Sequence, residues 1–374
     1  MRTEIDIKAN ILKWAIARAG YDLQEFTTKV PNVQKWINRE KQPTVKQLED
    51  FSKKVHLPFG YLFLPNPPEE KLPIPFFRTN NPQATKVSVN VYDTILLLQQ
   101  RQDWLREYLK DNDFKTIPFV GKFRNNENVA AIVADIRRTL GLQENWASQY
   151  DTWEESLNNL SHKTEEVGII AIFNGIVENN THRPIEVEEC RGFVLVDDYA
   201  PFMFINNSDS KAAQMFTIVH ELAHIWTGYS AGFDFRKLKP ADNPIEILCD
   251  KVAAEFLVPQ NAFNEVWQRN PTIKYCSRYF KVSEIVIARR ALDTGKITQQ
   301  QFYTFYDEYI NREFKKKEGA SGGDFYATTK KRLSMTFAAH VNNAVKTGKL
   351  LYRDAYRLTS LKGDTYQTFF TQHF

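Results

Sequence analysis

The sequence predicts an α+β chain of several modules, and three observations carry that prediction. Short apolar stripes at helical spacing fill both ends of the 374 residues. Three β-rich runs cluster between residues 167 and 205. A strongly apolar helical segment follows them and holds two histidines four residues apart, as expected of a small sheet packed on helices.

The first 64 residues read as short helices. Ile11, Trp14, Ala15 and Ala19 form a stripe that ends at Gly20. A second helix over Asp22–Lys29 stops at Pro31, and a third begins near Asn32 with Gln34, Lys35 and Trp36. Thr44 caps a fourth, whose Leu48, Phe51 and Val55 face inward. Five short helices with a polar, basic third one are the layout of a helix-turn-helix domain. Asn32, Gln34 and Lys35 are its candidate nucleic-acid contacts, because they can offer donors to base edges. A purely protein-binding bundle fits the same pattern.

Pro65, Pro67, Pro68, Pro73 and Pro75 mark a connector. Residues 65–165 then read as this connector and a helical scaffold, with helices over Val89–Tyr108, Val129–Leu140 and Trp153–Leu160. The periodicity changes at Val167–Phe173, Phe193–Val196 and Phe202–Ile205, which are strand-like. The last of these is a candidate edge strand for an extended substrate, or an ordinary core strand. This core is assigned to 166–300. Residues 301–374 form a basic helical accessory segment interrupted by Gly319–Gly323.

Charge separates along the same divisions. The chain carries 49 Lys+Arg against 45 Asp+Glu. Residues 1–64 hold 11 basic and 7 acidic side chains, and residues 312–374 hold 12 and 5, so the middle is acidic. Lys315–Lys317 and Lys330–Arg332 concentrate the C-terminal surplus, either as a solvated face or as a surface for nucleic acid or an acidic partner. Composition excludes disordered and collagen-like classes. No apolar run reaches the ~20 residues of a membrane span, and charged Arg2, Glu4, Asp6 and Lys8 stand where a secretion signal would lie. Cys190, Cys249 and Cys276 have no metal-type spacing and suit reduced thiols, so a cytoplasmic location is expected.

The chemistry concentrates in Phe216–His224. On a helix His220 and His224 project from one face within reach of one metal ion, and Glu221 stands beside the first of them to accept a proton from water. A charged residue in so apolar a run is costly without a role or a partner. A zinc site needs a third protein donor. Glu246, Cys249, Asp250 and Ala253 share one face of the predicted Ile245–Val258 helix, with Glu246 as the preferred ligand and Asp250 placed to orient a histidine. Glu255 and Cys249 are the rivals.

Asn180-Thr181, Arg191-Gly192-Phe193, Phe204-Ile205-Asn206 and the run into His220-Glu221-Leu222-Ala223-His224 resemble the ImmA/IrrE family of metallopeptidases. Glu246–Pro259 is similar to that family's following block, with Glu246 at the ligand position. Ile74–Thr79 resembles a segment before the peptidase core in its long members. Cys249-Asp250 departs from the more usual Ala-Asn or Cys-Asn pair. Residues 1–64 resemble XRE-like helix-turn-helix domains through Trp36, Gln42-Pro43-Thr44 and Gln47-Leu48.

The resemblance implies a zincin-like sheet with an HExxH helix, and Zn2+-dependent endopeptidase action of a regulatory kind. The expected substrate is a partner protein, such as a transcription repressor or the product of a neighbouring gene. DNA is a possible second partner through residues 1–64. The alternative is a DNA- or protein-binding regulator, an antitoxin-like partner of a neighbouring toxin, with a structural or sensory metal site. His182, Tyr199 and Tyr229 are the candidates for stabilising an oxyanion.

Overall fold

The computed structural model describes residues 4–70, 87–233, 243–312 and 324–374. Pro73, Ile74–Thr79, Lys315–Lys317 and Gly319–Gly323 lie outside the described residues. The chain divides near residue 95 into two compact units.

The first unit is helical. It holds α1 (Ala9–Arg18), α2 (Leu23–Lys29), α3 (Pro31–Ile37), α4 (Val45–Lys54), a 3-10 turn at Phe59–Phe63, and the first residues of α5 (Val89–Asp111). Asp22 accepts from the Glu25 amide at the start of α2, and Thr44 with Gln47 forms a capping box on α4. Ile11, Leu12, Ile16, Phe26, Val33, Trp36, Leu48 and Phe51 make its core. Inside this unit Arg18 bridges Glu70 at 2.6 Å and Asp93 at 3.1 Å and donates to the His56 carbonyl at 3.2 Å, tying α1 to the start of α5.

The second unit is mixed, and the α+β class holds. After the remainder of α5 come α6 (Val129–Leu140), α7 (Trp153–Glu166), β1 (Ile170–Phe173), β2 (Ile176–Val177), β3 (Asn180–Pro184), β4 (Gly192–Leu195) and β5 (Phe202–Ile205). Next are α8 (Lys211–Thr227), β6 (Ala231–Phe233), α9 (Pro244–Leu257), α10 (Gln260–Arg269), α11 (Ile273–Phe280), α12 (Glu284–Asp293) and α13 (Gln299–Ile310). The chain closes with α14 (Phe325–Leu333), α15 (Met335–Lys346), α16 (Tyr352–Thr359) and α17 (Gly363–His373).

The main sheet has the order β1-β5-β4-β6. β5 runs parallel to β1 and antiparallel to β4, with Phe193 opposite Phe204 and Val194 opposite Met203. This corrects the edge-strand expectation for Phe202–Ile205: β5 is interior, and β6 holds the edge beside β4. An unbroken apolar run such as Phe-Met-Phe-Ile belongs to a strand covered on both faces, and all four residues are buried. β2 and β3 pair separately as a small hairpin.

α14 packs against β1, so the C-terminal helices adjoin the strand at the opposite edge from β6. Phe337 on α15 meets Trp104 and Phe202 edge-on, with ring centroids 5.8 and 5.6 Å apart. Arg101, buried on α5, donates to the Leu358 carbonyl at 2.7 Å and reaches the Arg332 carbonyl and Ser360 Oγ at 3.4 Å.

Candidate metal centre

The site is held by α8 and α9, which pack along each other. Ser210 caps α8 by accepting from the Ala213 amide, and thirteen of the helix's residues from Gln214 to Thr227 are buried. The helix ends at Gly228 in the left-handed region (φ +80°), and its amide donates to the carbonyls of His224 and Ile225. Only glycine suits this position for a second reason: a Cβ there would stand 2.9 Å from Gly121 Cα. The loop carrying Gly121 closes the helix end, since the amides of Gly121 and Phe123 donate to Ile225 and Trp226 carbonyls at 2.9 and 2.8 Å. Trp226 Nε1 donates to the buried Asp135 on α6 at 2.9 Å, and Lys122 and Arg138 hold the same carboxylate.

α9 begins at Pro244, with Asn243 accepting from the Ile245 amide at 2.8 Å. Its other end is tied to α6, where Arg137 donates to the Phe256 carbonyl at 2.7 Å. Glu246 therefore lies in the first turn of a firmly placed helix, where the helix dipole favours a carboxylate.

Three donors converge between these helices. His220 Nε2 and His224 Nε2 are 3.1 Å apart, Glu246 Oε2 is 3.1 Å from the first, and Glu246 Oε1 is 3.2 Å from the second. Donors bound at tetrahedral angles to one zinc ion would be about 3.3–3.4 Å apart, so the set fits such an ion with little adjustment. Asp250 Oδ1 lies 3.0 Å from His220 Nδ1, which leaves Nε2 facing the cluster. Cys249 also belongs to the neighbourhood: its sulfur and a ring nitrogen of each histidine all lie within 4.8 Å of one another. Glu255 does not. It pairs with Arg290 instead.

The electrostatics express the same convergence. Although burial opposes it, contact with Asp250 and Glu246 pushes His220 up to about 10. Glu246, also against its burial, is held down to about 2 by the two histidines. Burial lowers His224. Glu221 behaves differently. It is fully buried, its two oxygens have no hydrogen-bond partner among the described residues, and burial pushes it up to about 8.

Gly192 on β4, which the motif alone leaves without a role, sets the space around Glu221. A Cβ on it would stand 2.4 Å from Thr217 Cγ2, 2.8 Å from the Phe204 carbonyl and 3.4 Å from Glu221 Oε1. A glycine inside a strand is the signal for such a close approach.

The remaining sequence candidates lie elsewhere. Asn32, Gln34 and Lys35 are exposed on α3, with Gln34 Nε2 donating to Asn38 Oδ1 at 2.9 Å. His182 is exposed on β3, and Tyr199 stands under Lys110 in the turn after β4. Tyr229, 39% exposed, follows the end of α8 and lines a cavity of about 360 Å³ with Arg124, Glu127, Ile245 and Leu248. It stands beside the two helices that hold the site.

Among known proteins, residues 177–292 match the family model described as the IrrE N-terminal-like domain (Peptidase_M78). That match supports the ImmA/IrrE family and a metallopeptidase-type function for the segment that holds α8 and α9. Residues 333–372 match a domain of unknown function, DUF8813. Neither match reaches residues 1–64. No curated protein matches the chain. Among the described residues no helix is long and apolar enough to cross a membrane.

Proposed function

We propose that this chain is a zinc-dependent endopeptidase acting in the cytoplasm, and that it cleaves a partner protein such as a transcription repressor or a neighbouring gene's product. The observation that carries the proposal is Glu221. A structural metal site has no use for a fully buried, unpartnered carboxylate beside its ligands, and an uncompensated polar group of this kind costs about 1–3 kcal/mol.

His220, His224 and Glu246 hold the ion, and Asp250 keeps His220 turned so that Nε2 faces it. Zinc, when bound, lowers the pKa of water to about 7 and polarises a carbonyl. Glu221 takes the proton from the attacking water and returns it to the leaving amine. A neighbouring dication favours its carboxylate form, which burial alone disfavours. The close cover of Gly192 and β4 keeps that carboxylate dry and in place.

Residues 1–64 serve as the targeting module, a helix-turn-helix that presents Asn32, Gln34 and Lys35 to DNA or to a related domain in the substrate. The modules 65–165, 166–300 and 301–374 supply scaffold, peptidase core and basic accessory helices.

The test is incubation of the purified chain with the product of its neighbouring gene, with zinc and with a chelator. Zinc at one equivalent and cleavage lost in Glu221→Gln are expected. A chain without stoichiometric zinc, or a Glu221→Gln variant that cleaves normally, refutes the proposal.

A further inference from the structure

We propose that Cys249 is a fourth donor to the bound ion, so that the substrate-free chain holds metal in a closed arrangement of His220, His224, Glu246 and Cys249. The inference rests on the reading of His220, His224 and Glu246 as a metal site.

Three observations lead to it. First, the Cys249 sulfur and a ring nitrogen of each histidine lie within 4.8 Å of one another. A thiolate and an imidazole bound to one zinc stand about 3.5 Å apart. The sulfur therefore lies at most about 1.3 Å beyond that spacing, a span that a side-chain rotation covers.

Second, Cys249 lacks the partner its fellow cysteines have. Cys190 Sγ donates to the Gly192 carbonyl at 3.8 Å, and Cys276 Sγ donates to the Asn270 carbonyl at 3.9 Å. Cys249 is completely buried and has no hydrogen-bond partner among the described residues. It stands one helical turn beyond Glu246 on the face turned toward α8.

Third, the described donors and the carboxylate beside them are buried. His220, Glu221 and His224 are 0% exposed, and Glu246 is 3% exposed. A hydrolytic site with three protein donors needs its fourth position accessible, whereas a structural or resting site is closed by a fourth protein ligand. Two imidazoles, one carboxylate and one sulfur are a complete tetrahedral set for zinc.

The consequence is latency. While sulfur occupies the fourth position, Glu221 has no water to act on. Rotation of the Cys249 side chain away from the ion opens that position and switches the site on.

Cobalt(II) decides the matter without a substrate. The full-length chain is stripped with a chelator and titrated with Co2+ alone. The expected spectrum has an intense near-ultraviolet sulfur-to-cobalt charge-transfer band beside the visible bands of a tetrahedral ion. The charge-transfer band is lost in Cys249→Ser and Cys249→Ala and retained in Cys190→Ala and Cys276→Ala.

Stoichiometric Co2+ binding with visible bands but no charge-transfer band in the unsubstituted chain overturns the proposal and leaves the three-donor site intact. A band that survives Cys249→Ala overturns it as well. Failure to bind Co2+ or Zn2+ at one equivalent overturns the metal site itself, and with it this inference. The unsubstituted spectrum is decisive even if a variant does not fold.

Discussion

Gly192→Ala is the most exacting test of how the sheet and the metal helix cooperate. Gly192 is buried, and its φ is not in the left-handed region, so backbone conformation does not forbid alanine. The obstacle is space. The new methyl would lie 2.4 Å from Thr217 Cγ2, more than 1 Å inside the ~3.5–4.0 Å of an ordinary carbon contact. It would also lie 2.8 Å from the Phe204 carbonyl, which the β4–β5 ladder holds in place. Either α8 retreats from the sheet or the strand bows. Overpacking of this kind costs about 1–3 kcal/mol, and a displacement of about 1 Å at Glu221 costs on the order of 100-fold in turnover.

The assay pairs denaturant unfolding with cleavage of the partner protein, after metal content is shown to be equal. Thr217→Ser removes the methyl in the way while keeping the hydroxyl that donates to the Ala213 carbonyl at 3.0 Å. The double variant should therefore recover a substantial part of both losses. A Gly192→Ala chain of unchanged stability and activity refutes the reasoning. So does a double variant no better than the single one.

Asp250→Asn should weaken zinc binding by about 10–100-fold in a chelator competition, because it loses the carboxylate that orients His220. Asp135→Asn should destabilise the second unit by about 1–3 kcal/mol at neutral pH. Burial works against the Asp135 carboxylate, but Lys122, Trp226 and Arg138 hold its pKa below the usual value. A depressed carboxylate contributes stability that is present above its unfolded pKa and lost as pH falls through the folded one. The gap between wild type and variant, followed by urea midpoints, should thus close in acid below about pH 4. Arg101→Leu leaves the Leu358 carbonyl without its donor, and hydrogen exchange should rise in α16 and the Ser360 turn at a cost of about 1–3 kcal/mol.

Local rules made much of this molecule legible. Pro31 and Thr44 mark helix ends because a fixed φ and a side-chain acceptor act over a few residues. The Val129–Leu140 helix and the strands at Ile170, Gly192 and Phe202 follow the apolar pattern closely. Helical spacing alone set Glu246 and Asp250 on one face, and the structure places both against His220.

What escaped were facts fixed across the chain. The interior position of β5 depends on β1 and β4, not on its own four residues. The short β2, β3 and β6 carry too little pattern to be seen. The elimination of Glu255 depends on Arg290, 35 residues away. Gly192 owes its importance to Thr217, Phe204 and Glu221, none of which is its sequence neighbour.

The basic C-terminal segment shows how a charge count and a structure answer different questions. A surplus of cations invites an acidic partner, yet several of these cations have partners in their own unit. Arg332 donates to Asn179 Oδ1 at 3.3 Å, Lys331 to Asn158 Oδ1 at 3.2 Å and Lys346 to the Phe374 carbonyl at 3.5 Å, while Lys349 contacts Asn112. Arg101 completes the pattern from the opposite side, a buried guanidinium whose hydrogen-bond acceptors are carbonyls and a hydroxyl. Its pKa falls to about 10 through burial, so the cation is retained at neutral pH and each carbonyl gains a charge-assisted bond. Arg101 is buried by these bonds, whereas Lys331, Lys346 and Lys349 make theirs at the surface. The segment matched to the domain of unknown function packs within the second unit, through Phe337 against Trp104 and Phe202. Among the described residues, an acidic partner would find Lys330, Lys331, Lys346, Lys349, Arg353, Arg357 and Lys362 exposed.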